Sequence, residues 1–135
     1  MDCIVFGGLV ADRYFDIESF PERGQDGIIT SETAYVGGCA INIAATINNL
    51  GGNAHIVSYV GNDKTGEQIM NYIRKNKFAE DFIKQTEGIS GYCLVFKEPD
   101  GERTFLTKKG VEGNFDTGLL DNIDNIRAKV GAVTG

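Results

Sequence analysis

Apolar residues fall along this chain in short continuous runs that alternate with stretches of helical spacing. Residues 3–10 are an almost unbroken apolar run, the pattern of a strand covered on both faces. Pro21 and Gly24 then break the chain, and residues 28–36, rich in β-branched side chains, predict an extended strand. From about residue 38 to residue 50, Ala40, Ile43, Ala44, Ile47 and Leu50 recur at helical spacing, with Asn42, Thr46 and Asn49 on another side. Residues 54–60 predict the next strand. Asp63 is placed to cap a helix running to residue 76, with Ile69, Tyr72 and Ile73 as its apolar stripe. A Pro99-Asp100-Gly101 turn predicts a hairpin over residues 92–108. Tyr92, Leu94 and Phe96 take one face of it and Cys93 and Val95 the other, so both faces are apolar and the ribbon needs a cover. Residues 115–127 predict a helix with Leu119, Leu120, Ile123 and Ile126 apolar, and residues 130–134 a last strand. Strands alternating with helices predict an α/β domain with a largely parallel sheet.

Composition narrows the partners. With 135 residues, 41% of them hydrophobic, the chain is long enough for one compact domain with its own core. Thirteen Lys and Arg against nineteen Asp and Glu leave a formal charge of −6. That balance argues against nucleic acid and against anionic membrane surfaces, both of which are bound through basic patches. No apolar run approaches the ~20 residues of a membrane span, and no basic leader precedes Val5, so the expected location is the cytoplasm. Cys3, Cys39 and Cys93 form no C-x-x-C pair, and each has apolar neighbours. They are expected to be buried free thiols, with Cys39 the one able to line a pocket. The single histidine, His55, is expected at the core or edge of a strand, and no metal site is expected.

The candidate chemistry sits in Gly37-Gly38-Cys39-Ala40-Ile41-Asn42, where two glycines open the apolar helix. Glycines there let another molecule approach the first free N–H groups of a helix, whose partial positive charge favours an electron-rich ligand. Asn42, one turn in, can donate and accept hydrogen bonds to a polyhydroxylated ligand. A glycine pair before a helix also serves plain packing, and the two readings stand level on these residues alone. Two rival motifs fail on spacing. Gly61-Asn62-Asp63-Lys64-Thr65 has Asp63 where a phosphate-binding loop needs the Gly before its Lys. Gly7-Gly8 follows a strand without the third glycine of a dinucleotide fingerprint.

Gly37, Gly38, Ala40, Asn42, Ala44, Gly51 and Gly61 together resemble, at matching spacing, the first signature of the ribokinase-like, pfkB-type carbohydrate kinases. Val5 to Asp12 is similar to that family's first strand with its trailing acidic residue. Gly61-Asn62-Asp63-Lys64-Thr65-Gly66 resembles its Gly-x-Asp-x-x-Gly segment, and Gly101-Glu102-Arg103-Thr104-Phe105 a family hairpin. The resemblance covers essentially the whole chain. It implies a ribokinase-like α/β fold, with a largely parallel sheet flanked by helices and a small β lid whose strands lie near residues 26–36 and 90–108. It implies ATP-dependent phosphoryl transfer, with Mg²⁺, to a hydroxyl of a sugar or nucleoside, and a homodimer through the lid.

Members of the family run to about twice this length. Their second signature, an Asp-Thr-x-Gly-Ala-Gly-Asp segment that supplies the general base and the anion hole, does not occur in these 135 residues. The chain is therefore expected to be the N-terminal, substrate-side part (1–135) of one such domain. It should hold no catalytic base and be inactive alone. The resemblance assigns sugar contacts to Asp12, Gly37, Gly38 and Asn42. Arg103 is a candidate for a hydroxyl, carboxylate or phosphate, with a plain surface arginine as its alternative. Ribokinases tend to carry Lys at the place of Cys39 and Gly at that of Ala40. The substrate therefore stays open among a nucleoside, fructose, a keto-deoxy sugar acid, a sugar phosphate and ribose. A second reading is a non-catalytic sugar-binding or dimerisation module built from the same parts.

Overall fold

A computed structural model describes residues 1–121, 123–124 and 126–135. Among the described residues the strands form two four-stranded sheets. The first holds, in order, β5 (Ile83–Thr86), β4 (Ala54–Gly61), β1 (Cys3–Phe6) and β8 (Val130–Val133), all parallel. The second runs β3 (Ile29–Gly37), β2 (Val10–Ile17), β6 (Tyr92–Lys97) and β7 (Arg103–Lys108). Here β2 pairs parallel to β6, while β3 and β7 flank them antiparallel.

The core forms where α1 (Cys39–Asn49) and α2 (Lys64–Lys75) lay their apolar stripes on the first sheet. Val5 and Ile56 pair across β1 and β4 and are buried with Ile41, Ala44, Ile69 and Ile73. Burying a side chain of this size fully is worth roughly 1.5–3 kcal/mol, so these side chains anchor the sheet. From the opposite side of β4, Tyr59 donates a 2.7 Å hydrogen bond to Asp116. Asp63 caps α2 as expected, accepting from the Gly66 N–H at 2.9 Å. The hairpin of β6 and β7 turns at residues 98–102 and joins the second sheet, not the first.

Three expectations are corrected. The apolar run 3–10 is not one strand: β1 stops at Phe6, and Val10 already belongs to the second sheet. A β-carbon on Gly7 would collide with Thr134 and Ala40, so the chain leaves the first sheet through the Gly7-Gly8 pair. Second, residues 115–127 do not form the expected helix. Residues 122 and 125 of that span lie outside the described residues, and over the rest the only helical turn is a short 3-10 turn, Thr117–Leu120. The apolar spacing is overruled by Asn114, Asp116, Thr117, Gly118 and Asp121, all weak helix formers, and by Lys84, which takes the carbonyls of Gly118 and Asp121. Third, of the thiols only Cys3 is buried; Cys93 is half-buried and Cys39 is exposed. Cys39 is the first residue of α1, and the turn that buries Ala40 and Ile41 leaves it facing outward.

Candidate functional site

Asp12 does not trail the first strand but lies inside β2. Its strand neighbours are Tyr35 on β3 and Cys93 on β6, and Cys93 sits 3.4 Å from the Thr107 hydroxyl on β7. Ala11, Phe15 and Ile17 point to the buried face of the sheet, so alternation sends Asp12 to the other face. There its carboxylate packs against Gly37: a β-carbon on residue 37 would overlap Asp12 Oδ2. Partial burial holds the Asp12 carboxyl above the usual aspartate pKa, because taking a carboxylate out of water disfavours its charge.

Gly38 follows directly, as the N-cap of α1 with φ 103°, a conformation that favours glycine. It has no side chain to cap the helix, and a β-carbon there would run into the Gly8 carbonyl. Packing against Gly8, just beyond the carboxyl end of β1, fixes where α1 starts. Asn42 is one turn along, its backbone N–H bonded to the Gly38 carbonyl at 3.3 Å and its residue exposed. Asp12, Gly37, Gly38 and the first turn of α1 are thus brought together at the carboxyl end of the parallel sheet, where open α/β sheets place their ligands.

Arg103 is not brought to this group. It begins β7, opposite Lys97, with its guanidinium 5.8 Å from the Phe105 ring centre. Thr107, the β7 residue in line with Asp12, is four residues further on, about 13 Å at strand rise. His55 stands at the opposite, amino end of β4, with Nδ1 3.2 Å from Asp81. A groove of about 950 Å³ runs between α2 and the other face of the second sheet, with Ala11, Arg13, Val36, Tyr72 and Tyr92 among its walls.

Two buried polar residues escape sequence reasoning. Ser90, 1% exposed, takes the Gly61 N–H on its hydroxyl at 2.7 Å and gives its own N–H to Asp63 at 3.1 Å. Glu112, 9% exposed, takes the N–H groups of Gly91 and Gly110. The sequence signal for both is slight: a short polar residue beside Gly91, and a lone acidic residue between Val111 and Gly113.

The pfkB family carbohydrate kinase pattern matches residues 1–133. This chain belongs to the pfkB family of carbohydrate kinases. An uncharacterized sugar kinase of Escherichia coli (YegV) is 37% identical over 113 residues, covering 84% of this chain and 35% of that protein. The fructosamine kinase FrlD of Bacillus subtilis is 29% identical over 114 residues, 83% of this chain and 35% of its own length. The nucleoside kinase of Methanocaldococcus jannaschii, an archaeal member of the ribokinase family, superposes with a TM-score of 0.79 at 24% identity. That match covers 98% of this chain and 44% of the archaeal one, and it shows the ribokinase fold. The pfkB-family chain described here thus spans about a third of the length of these two curated relatives.

Proposed function

We propose that this pfkB-family chain forms the sugar-binding part, residues 1–135, of one ribokinase-like domain. The reaction is transfer of a phosphoryl group from ATP to a hydroxyl of a sugar or nucleoside. The observation that carries this reading is the packing of the Asp12 carboxylate on Gly37, next to the uncapped start of α1. A carboxylate makes strong hydrogen bonds to sugar hydroxyls, and an uncapped helix start offers free N–H groups to sugar oxygens. Asn42 supplies both a donor and an acceptor one turn along. Three kinds of group then converge on one polyol. The relatives named as sugar, fructosamine and nucleoside kinases support a substrate of this chemistry.

The second sheet, with strands 29–37, 92–97 and 103–108 around β2, acts in this reading as the lid over the sugar. Its closure excludes water and limits wasted hydrolysis of the donor. Tyr35, Phe105 and Leu106 are each more than half exposed, which suits a homodimer packed lid to lid. ATP with Mg²⁺ supplies the phosphoryl group and neutralises its charge when bound. Among the described residues no group of three acidic, histidine or cysteine side chains is placed to hold a metal. The work of this chain is positioning. Arg103 keeps a surface role in this reading, stacked near Phe105.

The experiment is sugar- or nucleoside-dependent ADP release, assayed for the 135-residue chain and for the longest protein its gene encodes. The reading expects turnover only where a catalytic base and donor site accompany these residues. Sugar-dependent turnover by the 135 residues alone would contradict it. A binding module without catalysis would instead bind sugar at every length tested and release no ADP.

A further inference from the structure

All four strands of the second sheet join the rest of the molecule through glycine. Gly8 precedes β2, Gly37 and Gly38 end β3, Gly91 precedes β6, and Gly110 follows β7. Three of these glycines meet one side chain. Glu112 Oε2 accepts from the Gly91 N–H at 2.7 Å, and Oε1 accepts from the Gly110 N–H at 2.9 Å. A β-carbon on Gly91 would overlap the Glu112 carboxylate, and one on Gly8 would stand 3.1 Å from its Cγ. Glu112 itself rides on a 3-10 turn, Val111–Gly113, whose Val111 is buried and bonded to the Ile89 carbonyl at 2.8 Å. That turn packs against β4 of the first sheet.

The grip continues toward the candidate site. The Gly91 carbonyl accepts from the Ala11 N–H at 3.2 Å, and the next residue is Asp12. We propose that Glu112 is a positioning residue, a two-point clamp that ties the roots of β6 and β7 to the first sheet and sets the placement of Asp12 through Gly91 and Ala11. Carboxylate chemistry suits the task. Asp and Glu are the side chains with two equivalent acceptor oxygens, and the reach of Glu spans two backbone donors nineteen residues apart in sequence. A buried carboxylate held by two N–H groups is a costly feature to keep, since removing either partner leaves a buried polar group unpaired. Such a clamp holds the roots of β6 and β7 in place. Its catalytic consequence rests on the kinase reading above; the clamp itself does not.

The test is Glu112→Gln, which keeps the shape but turns an N–H₂ toward one of the two backbone donors, with Glu112→Asp as a second variant that keeps the charge and shortens the reach. Hydrogen exchange is measured on the protein as its gene encodes it, alongside sugar and ATP kinetics. In both variants, exchange at Gly91 or Gly110 and at Ala11 is expected to rise by about tenfold or more, with β1 and β4 amides unchanged. The KM for sugar is expected to rise by about tenfold while the KM for ATP stays within about twofold. Unchanged exchange at all three residues, an equal rise throughout β1 and β4, or wild-type behaviour of Glu112→Asp would overturn the proposal. If the wild-type protein turns over no sugar, the kinase reading fails, and the exchange data still decide whether Glu112 is the clamp.

Discussion

The carboxylate of Asp12 occupies the space that a side chain at residue 37 would fill. A side chain at residue 37 can be accommodated only by displacing Asp12. Gly37 is buried at the end of β3, directly before the residue that opens α1, so the pair couples a strand of the second sheet to a helix on the first.

Gly37→Ala inserts a methyl group into that contact. The expected cost is about 1–3 kcal/mol of stability, the usual range for overpacking, with Asp12 displaced. Chemical denaturation measures the first effect. Sugar kinetics measure the second, with a raised KM for sugar and an unaltered KM for ATP.

Asp12→Asn separates binding from stability. The raised pKa of Asp12 means that the folded protein holds its proton more tightly than the unfolded chain does. Stability from this group is therefore greatest below the unfolded pKa and falls as pH rises through the raised folded pKa. Asparagine removes that loss. The variant is expected to unfold at neutral pH no more easily than wild type, and to lack this component of the pH dependence. It should still bind sugar about tenfold or more weakly, since a charged acceptor becomes a neutral one. Thermal unfolding from pH 3 to 7 beside a sugar titration checks both arms.

Asn42→Ala works the same way on the helix. Asn42 is exposed in the first full turn of α1, and Ala is the better helix former by up to about 0.7 kcal/mol. Stability should hold or rise slightly while sugar use weakens and ATP use does not. Equal losses on both substrates would mark a folding defect.

Asp63 carries the opposite signature. Its Oδ1 caps α2 through Gly66 and also holds the Ser90 N–H, and a β-carbon on Gly66 would overlap the Gly61 carbonyl. The Gly61-x-Asp63-x-x-Gly66 spacing is thus a packing and capping device at the carboxyl end of β4. Asp63→Ala is expected to cost about 1–2 kcal/mol for the cap and more for the Ser90 amide left without its acceptor. Denaturation midpoints measure this, with KM for sugar little changed in the molecules that remain folded.

Much of this was legible along the chain, for identifiable reasons. Helix α1, strand β4, helix α2 and the hairpin each carry a local code: apolar spacing, an Asp cap, or a Pro-Asp-Gly turn. The Gly37-Gly38 pair marked the start of α1. Strand β2 stayed hidden because Asp12, Arg13 and Asp16 interrupt its apolar alternation, which becomes readable only when β3 and β6 flank it. The clustering of Asp12 with Gly37 depends on that pairing, a relation between residues 25 apart that no local pattern encodes. Arg103 is the converse: its hairpin was predicted, but strand register sets it at the far end from Asp12. Glu112 and Ser90 each hold a backbone group remote in sequence, Gly91 and Gly61, so composition and spacing give them no mark.

Backbone amide NMR of the protein, titrated with ribose, fructose, fructosamine and inosine, tests the central claim most directly. At least one of these should shift the amides of residues 11–12 and 37–42, and Asp12→Asn should need about tenfold or more ligand for the same shifts. Shifts confined to the groove between α2 and the second sheet, or a protein that phosphorylates a sugar with residues 11–12 and 37–42 undisturbed, would contradict it.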